Sequence, residues 1–191
     1  MGTPDNRPPL SAPQFESMVW ADASAQVYAL VLGRVVGELP ERLAAADASG
    51  QLRSWDCLWP GALTPAQRRQ APYLLQLEQK SAFTSWLLHE AAADFGDWGL
   101  LIQARRDFLA LRSHCRANSR ARLPDGQEIA LEWMDPAVLR ALLPLAPGEQ
   151  VETLLAPFER VLIPGTTGWT LIAQHAGRLE LHEQPLLAAA A

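Results

Sequence analysis

The chain reads as an α+β fold, a mixed α/β arrangement of small sheets with packed helices and a C-terminal hairpin–helix unit. Three observations predict it. Short β-branched and leucine-rich runs ("QVYALVLG", "PYLLQL", "WGLLIQA") alternate with segments of helical periodicity. A proline-glycine turn signal, "LPDG", separates two strand-like stretches. No internal repeat of fixed period runs through the 191 residues, which bounds the chain to one principal domain.

Residues 1–14 carry Pro4, Pro8, Pro9 and Pro13 and few apolar residues, so a flexible or extended arm is expected. "QVYALVLG" (26–33) predicts a buried strand ending at Gly33, and 37–47 a short helix. "LRSWDCLW" (52–59) fits a strand or an irregular aromatic segment equally well. "TPAQRRQ" (64–70) has Thr64 at the N-cap and Pro65 at N1, a helix start. A strand follows over 72–77. One amphipathic helix over 81–96 then stops at Gly96, and a third strand occupies 98–104. Residues 106–119 predict a helix with Phe108, Leu111 and Cys115 on one side.

"RARL" and "IALEWM" flank Pro124-Asp125-Gly126 and predict a hairpin, because proline presets φ and glycine tolerates positive φ. In "MDPAVLRALLP" Asp135 is placed at an N-cap, where its carboxylate accepts a backbone N–H and opposes the helix dipole. Pro136 at N1 loses nothing, since that N–H has no partner within the helix. A helix over 147–158 and three short strands close the chain. The domain spans 15–185, with room for a small lobe from about 147, and residues 186–191 form a frayed tail.

A net charge of −5 argues against a general nucleic-acid binder, which usually carries a basic excess. The apolar runs are too short for a membrane span, and the polar, proline-rich start is unlike a signal sequence. A cytoplasmic protein is expected. Cys57 and Cys115 have no CxxC partner, and no histidine pair has zinc spacing, so neither a metal nor another cofactor is expected. His89, His114, His175 and His182 match no catalytic motif, and Ser113-His114-Cys115 point in different directions on a helix. A hydrolase or transferase using His114 or His175 with a nearby carboxylate is the alternative, and a small-molecule-binding domain is a third reading.

Arginine supplies fifteen of the sixteen basic residues, against the single Lys80. Between 105 and 122 stand Arg105, Arg106, Arg112, Arg116, Arg120 and Arg122, opposed only by Asp107. Arg105, Arg112 and Arg116 fall near one stripe of the expected helix, either a solvated face or a docking surface for an acidic partner segment. Of seven tryptophans, Trp20, Trp86, Trp98, Trp133 and Trp169 are assigned mostly to the core. Trp55 and Trp59 are candidate exposed anchors in a segment edged by proline and glycine.

Taken in order, "VYALVLG", "APYLLQL" with "SWLL" in the helix after it, "WGLLIQARRDFLALRSHCR" and "LPDGQEIALEWMDPAVLRALLP" resemble the bacterial type VI secretion adaptors, or effector chaperones (Tap or TEC type). The likeness covers about residues 26–160. Its most specific parts are the strand–hairpin–helix unit ending at Asp135-Pro136 and the pair Trp98-Gly99 before an apolar strand. The sequence departs from the family where an arginine and two aromatics usually precede Asp-Pro, since Glu132, Trp133 and Met134 stand there. The resemblance implies a non-enzymatic, cofactor-free protein that binds the N-terminal segment of a cognate toxic effector and helps load it onto the VgrG spike. Arg105, Arg112, Arg116, Trp55 and Trp59 are the expected contacts on physical grounds alone.

Overall fold

Three runs without a single charged side chain form the centre of the molecule. In the computed structural model, which describes residues 7–123, 125–165, 167–175 and 178–187, β1 (Gln26–Leu32) lies between β3 (Pro72–Leu77) and β4 (Gly99–Ala104). Both pairings are antiparallel, with Leu30 opposite Leu74 on one side and Leu100 on the other. β2 (Leu52–Cys57) adds outside β3, and β7 (Arg160–Pro164), β8 (Gly168–His175) and β9 (Arg178–Pro185) continue beyond β4. The order is β2-β3-β1-β4-β7-β8-β9 in one antiparallel sheet, so the α+β class holds.

The central strands read as continuous apolar runs because both faces of the sheet are covered. Val27, Ala29 and Val31 point to a layer made by α1 (Ala12–Val19), α2 (Leu39–Ala48), α4 (Ala82–His89) and α5 (Ala91–Phe95). Tyr28, Leu30 and Leu32 point to the opposite layer of α6 (Phe108–Ala117), α7 (Pro136–Leu142) and α8 (Gly148–Leu155). The short α3 (Pro65–Gln70) leads into β3 and buries nothing, but Thr64 caps it as expected, accepting the Gln67 N–H at 3.2 Å.

Gly99 is where the backbones crowd most. Its φ is +149°, and a Cβ there would stand 1.9 Å from the Leu30 carbonyl oxygen. Only glycine lets β4 approach β1 this closely. Trp98, just before it, is fully buried with its ring edge-on to Trp169 at 6.1 Å.

The expected elements differ from the observed ones at four places. The helix over 81–96 is two helices, broken at Glu90, the C-cap of α4. A straight helix would hold Trp86 and Phe95 about 13 Å apart along its axis. With the break their rings meet at 6.2 Å. The hairpin strands β5 (Arg120–Arg122) and β6 (Glu128–Ala130) are three residues each, because Trp133 and Met134 leave the strand path and pack into the core. Pro124 lies outside the described residues. At the turn, Asp125 Oδ1 accepts the Gln127 N–H at 2.9 Å and Gly126 has φ +88°.

The third difference is at the C-terminal end. The hairpin–helix unit of β5, β6 and α7 sits in mid-chain, and the chain closes on the β8–β9 strand hairpin, which extends the one large sheet. The fourth is at the start. α1 begins at Ala12, within the stretch read as an arm, and the Gln14 side chain accepts the Ser11 N–H at 2.9 Å. Leu10 joins Leu186 in a parallel bridge, donating to the Pro185 carbonyl (3.0 Å) and accepting from the Leu187 N–H (2.9 Å). Burial of Phe15, stacked on Trp169 at 5.0 Å, anchors this segment to the sheet. Leu186 and Leu187 of the expected tail are thereby held, and 188–191 lie outside the described residues.

Candidate functional site

Asp107 fixes where the arginine-bearing helix begins. Its Oδ1 accepts the Ala110 N–H at 2.8 Å, so α6 starts at Phe108 and Arg105 lies outside it. The three-arginine stripe is therefore not one surface. Arg105 turns to the start of the sheet and pairs with Asp22 (2.9 Å) and Glu159 (3.3 Å). The Ser24 hydroxyl and amide, together with Arg105, hold the Asp22 carboxyl at about 2.

Arg112 and Arg116 do stay together on α6, beside the face that buries Leu111 and Cys115. Both reach the edge strand β2. Arg112 donates to Asp56 at 2.5 Å, and Arg116 donates to the Cys57 carbonyl at 2.5 Å while standing 3.6 Å from Asp56. Each side chain is only 31% exposed, and each buries its Nε without a hydrogen-bond partner among the described residues. Two guanidiniums share one carboxylate, so the pair braces helix to strand and leaves a local positive surplus.

Trp55 and Trp59 flank that brace along the chain and are both half-buried. Trp55 lies against Tyr73, with ring centroids 6.0 Å apart. Trp59 lines a cleft of about 150 Å³ together with Arg34, Gln70, Ser119, Glu132 and Met134. Trp98, Trp133 and Trp169 are core residues as expected, whereas Trp20 and Trp86 are half-buried at its margin.

Arg34, which the sequence reading passed over, organises this cleft. It stands two residues beyond the end of β1 and makes ion pairs with both Glu132 (3.2 Å) and Asp135. Glu132 stands where relatives are expected to carry arginine, so here that position joins an ion pair as the acid. Asp135 caps α7 as predicted, accepting the Ala137 N–H at 2.7 Å and the Val138 N–H at 3.4 Å. Burial opposes its charge, but Arg34 and the two amides outweigh that and hold the carboxyl below the usual range. The usable signal was a lone arginine just beyond a buried strand, set against two acids three residues apart.

The β5–β6 hairpin stands beside a larger groove of about 390 Å³, which Arg120, Arg122, Leu131, Leu142, Val151 and Leu154 help to line. Among the described residues its strands pair only with each other. All three residues of β6 are exposed, with Leu123 and Ile129 at 37% and 36%. Arg120 (3.6 Å) and Arg122 (3.0 Å) again share a single carboxylate, Glu128. Leu131 faces this groove and the smaller cleft, so the root of the hairpin divides them.

His114 and Cys115 are engaged within the core side of α6. His114 Nε2 donates to the Leu154 carbonyl at 2.8 Å, and its ring meets Phe158 edge-on at 5.5 Å, tying α6 to α8. Burial pushes the Cys115 thiol up to about 12 and raises that of Cys57. His175 ends β8 opposite Arg178, and its side chain lies outside the described residues. Among the described residues there is no group of three or more His, Cys, Asp or Glu placed to hold a metal ion, and no helix is long and apolar enough to cross a membrane.

Comparison with known proteins places these features. Neither the curated proteins nor the solved structures include a match to the chain. A family model described as "Domain of unknown function (DUF4123)" matches residues 27–153, more than half of the chain, running from β1 into α8. That span holds Arg34, the β2–α6 brace, both clefts' hairpin wall and the Asp135 cap, while β7–β9 lie beyond it. The chain belongs to the DUF4123 family, which is associated with adaptors of type VI secretion effectors.

Proposed function

We propose that this protein is a non-enzymatic adaptor that binds the N-terminal segment of a toxic effector in the cytoplasm and helps load it onto the VgrG spike. The observation that carries the reading is the β5–β6 hairpin. A two-stranded ribbon is marginal by itself in water. This one keeps Leu123 and Ile129 in solvent beside an apolar-floored groove, inside the span matched by the family. A partner segment laid in the groove would bury that surface and supply edge pairing for the ribbon. Arg120 and Arg122 share Glu128, and Glu149 lines the same groove, so its charges are mixed and suit a segment bearing both signs.

Trp59 lines the smaller cleft on the other side of the hairpin root, and Arg112 and Arg116 set the position of β2. Arg105 belongs to a different part of the molecule and is not among the contacts of this reading. The binding role over a catalytic one is supported by His114, whose ring is committed to a backbone carbonyl and an aromatic neighbour.

The test is co-purification with the effector encoded beside this gene. The wild-type chain should retain it, and Leu123→Asp with Ile129→Asp should release it while the thermal transition is kept. Retention by the double variant moves the contact away from the hairpin. No complex with wild type removes the adaptor role.

A further inference from the structure

The smaller cleft, beside the hairpin root, measures about 150 Å³. Drug-sized ligands occupy pockets of roughly 300–1,000 Å³, so a space of this size suits a single side chain. Leu32 and Met134, both buried, line it with Pro72, Leu131 and the half-buried Trp59. Most of its surface is therefore apolar, and one wall is an indole.

Its charges are few and unequal. Arg34 and Glu132 both line the cleft, and Arg34 is divided between Glu132 at 3.2 Å and Asp135. Asp135 is only 17% exposed and also accepts the Ala137 and Val138 amides, so it is the better satisfied of the two acids. Glu132 is 55% exposed, and Arg34 is its only partner among the described residues. One guanidinium against two carboxylates leaves a negative surplus, carried at Glu132. The brace of Arg112 and Arg116 has the opposite surplus, but neither arginine lines the cleft and both are engaged at β2.

Three features thus meet in a space for one side chain: apolar lining, an aromatic wall and an accessible carboxylate. An apolar side chain would fill the space but strip water from Glu132 and Arg34 without replacing its hydrogen bonds. A lysine brings a compact ammonium and no planar face for the indole. An arginine answers all three. Its stem lies along Leu32 and Met134, its guanidinium plane against Trp59, and its paired N–H groups donate to Glu132.

We propose that this cleft is a recognition pocket for an arginine side chain of the partner segment, with Glu132 as its charge partner and Trp59 as its stacking wall. The proposal deepens the adaptor reading and rests on it for the nature of the partner. Leu131 lines both this cleft and the larger groove, so a segment that crosses the hairpin root there reaches both.

Acetylated and amidated alanine pentapeptides with a central arginine, citrulline or leucine test the pocket. Citrulline keeps the shape of arginine and removes its charge. Proton–nitrogen NMR follows the Trp59 indole, assigned by its loss in Trp59→Phe. At about 10 mM peptide, the range of a weak site, the arginine peptide should shift that indole and the amides of 130–132 along a saturable curve. The citrulline and leucine peptides should bind severalfold more weakly. Glu132→Gln, which keeps the size of an exposed side chain, should bring the arginine peptide down to the citrulline level and leave the thermal transition in place. Equal binding of arginine and citrulline, stronger binding of leucine, or no shift at all overturns the proposal. So does an arginine preference that survives Glu132→Gln, or shifts confined to the groove at Val151 and Leu154. No effector enters these measurements, so their failure leaves the adaptor reading standing. Failed co-purification with arginine binding intact removes the adaptor reading alone.

Discussion

The two edges of the sheet are built in opposite ways. At β2, Asp56 and the Cys57 carbonyl are gripped by Arg112 and Arg116 from α6, and Trp55 packs on Tyr73 of the next strand. At β9, Leu181 stays in solvent, and the N-terminal segment lies alongside, with Leu10 bonded to Pro185 and Leu187 and the Pro8 carbonyl accepting from the Gln184 side chain at 3.1 Å. An open edge invites uncontrolled pairing, so proteins usually blunt it. One edge is held by partly buried ion pairs and the other meets the N-terminal segment through main-chain bonds, so the first depends on charge and the second on backbone pairing. The edge braced by arginines lies inside the family match, and the β9 edge lies outside it.

The comparison depends on a shared rigid centre, and Gly99→Ala should break it. The added methyl would collide with the Leu30 carbonyl at the β4–β1 contact. A loss of about 4 kcal/mol, or failure to fold, is expected in urea denaturation. Next in size is Asp56→Ala, which strands two half-buried guanidiniums. With the partial exposure of the pair taken into account, about 2 kcal/mol should be lost. Amide exchange should quicken in β2 and remain unchanged in β9.

Asp135→Ala removes the α7 cap and the partner of Arg34 and should cost about 1 kcal/mol. The pH dependence has a defined sign. The folded carboxyl titrates below its unfolded value, so its contribution is complete above about pH 4 and fades as pH falls through the lower folded value. Asp135→Asn keeps the cap and should flatten the acid limb of a thermal-stability profile. The smallest effect is expected at β9. Leu181→Asp should change stability by less than about 0.5 kcal/mol, because that side chain touches solvent more than core. A much larger loss would mean that β9 is as integral as β2.

Much of the fold was legible because its signals are local. Thr64-Pro65, Asp135-Pro136 and Gly96 mark helix ends through bonds made within a few residues. The continuous apolar runs of β1, β3 and β4 declared strands buried on both sides. The break at Glu90 was not legible, since no glycine or proline marks it and the Trp86–Phe95 contact decides it. The site was read only in part. Arg112 and Arg116 share a helix face by spacing alone, but their acid lies on β2, far away in sequence. Arg34 could not be joined to Glu132 and Asp135 without knowing that the end of β1 meets the start of α7.

The sequence by itself determined the α+β class, the capped helices, the central strands and the position of the hairpin turn. Each of these follows from side-chain periodicity or from hydrogen bonds closed within a single turn. The tertiary structure alone decided which arginines are braced, that the last three strands extend one sheet, and which segments meet its two edges. Those outcomes depend on contacts between residues distant along the chain, and no local pattern records which distant partner a charge or a strand edge will meet.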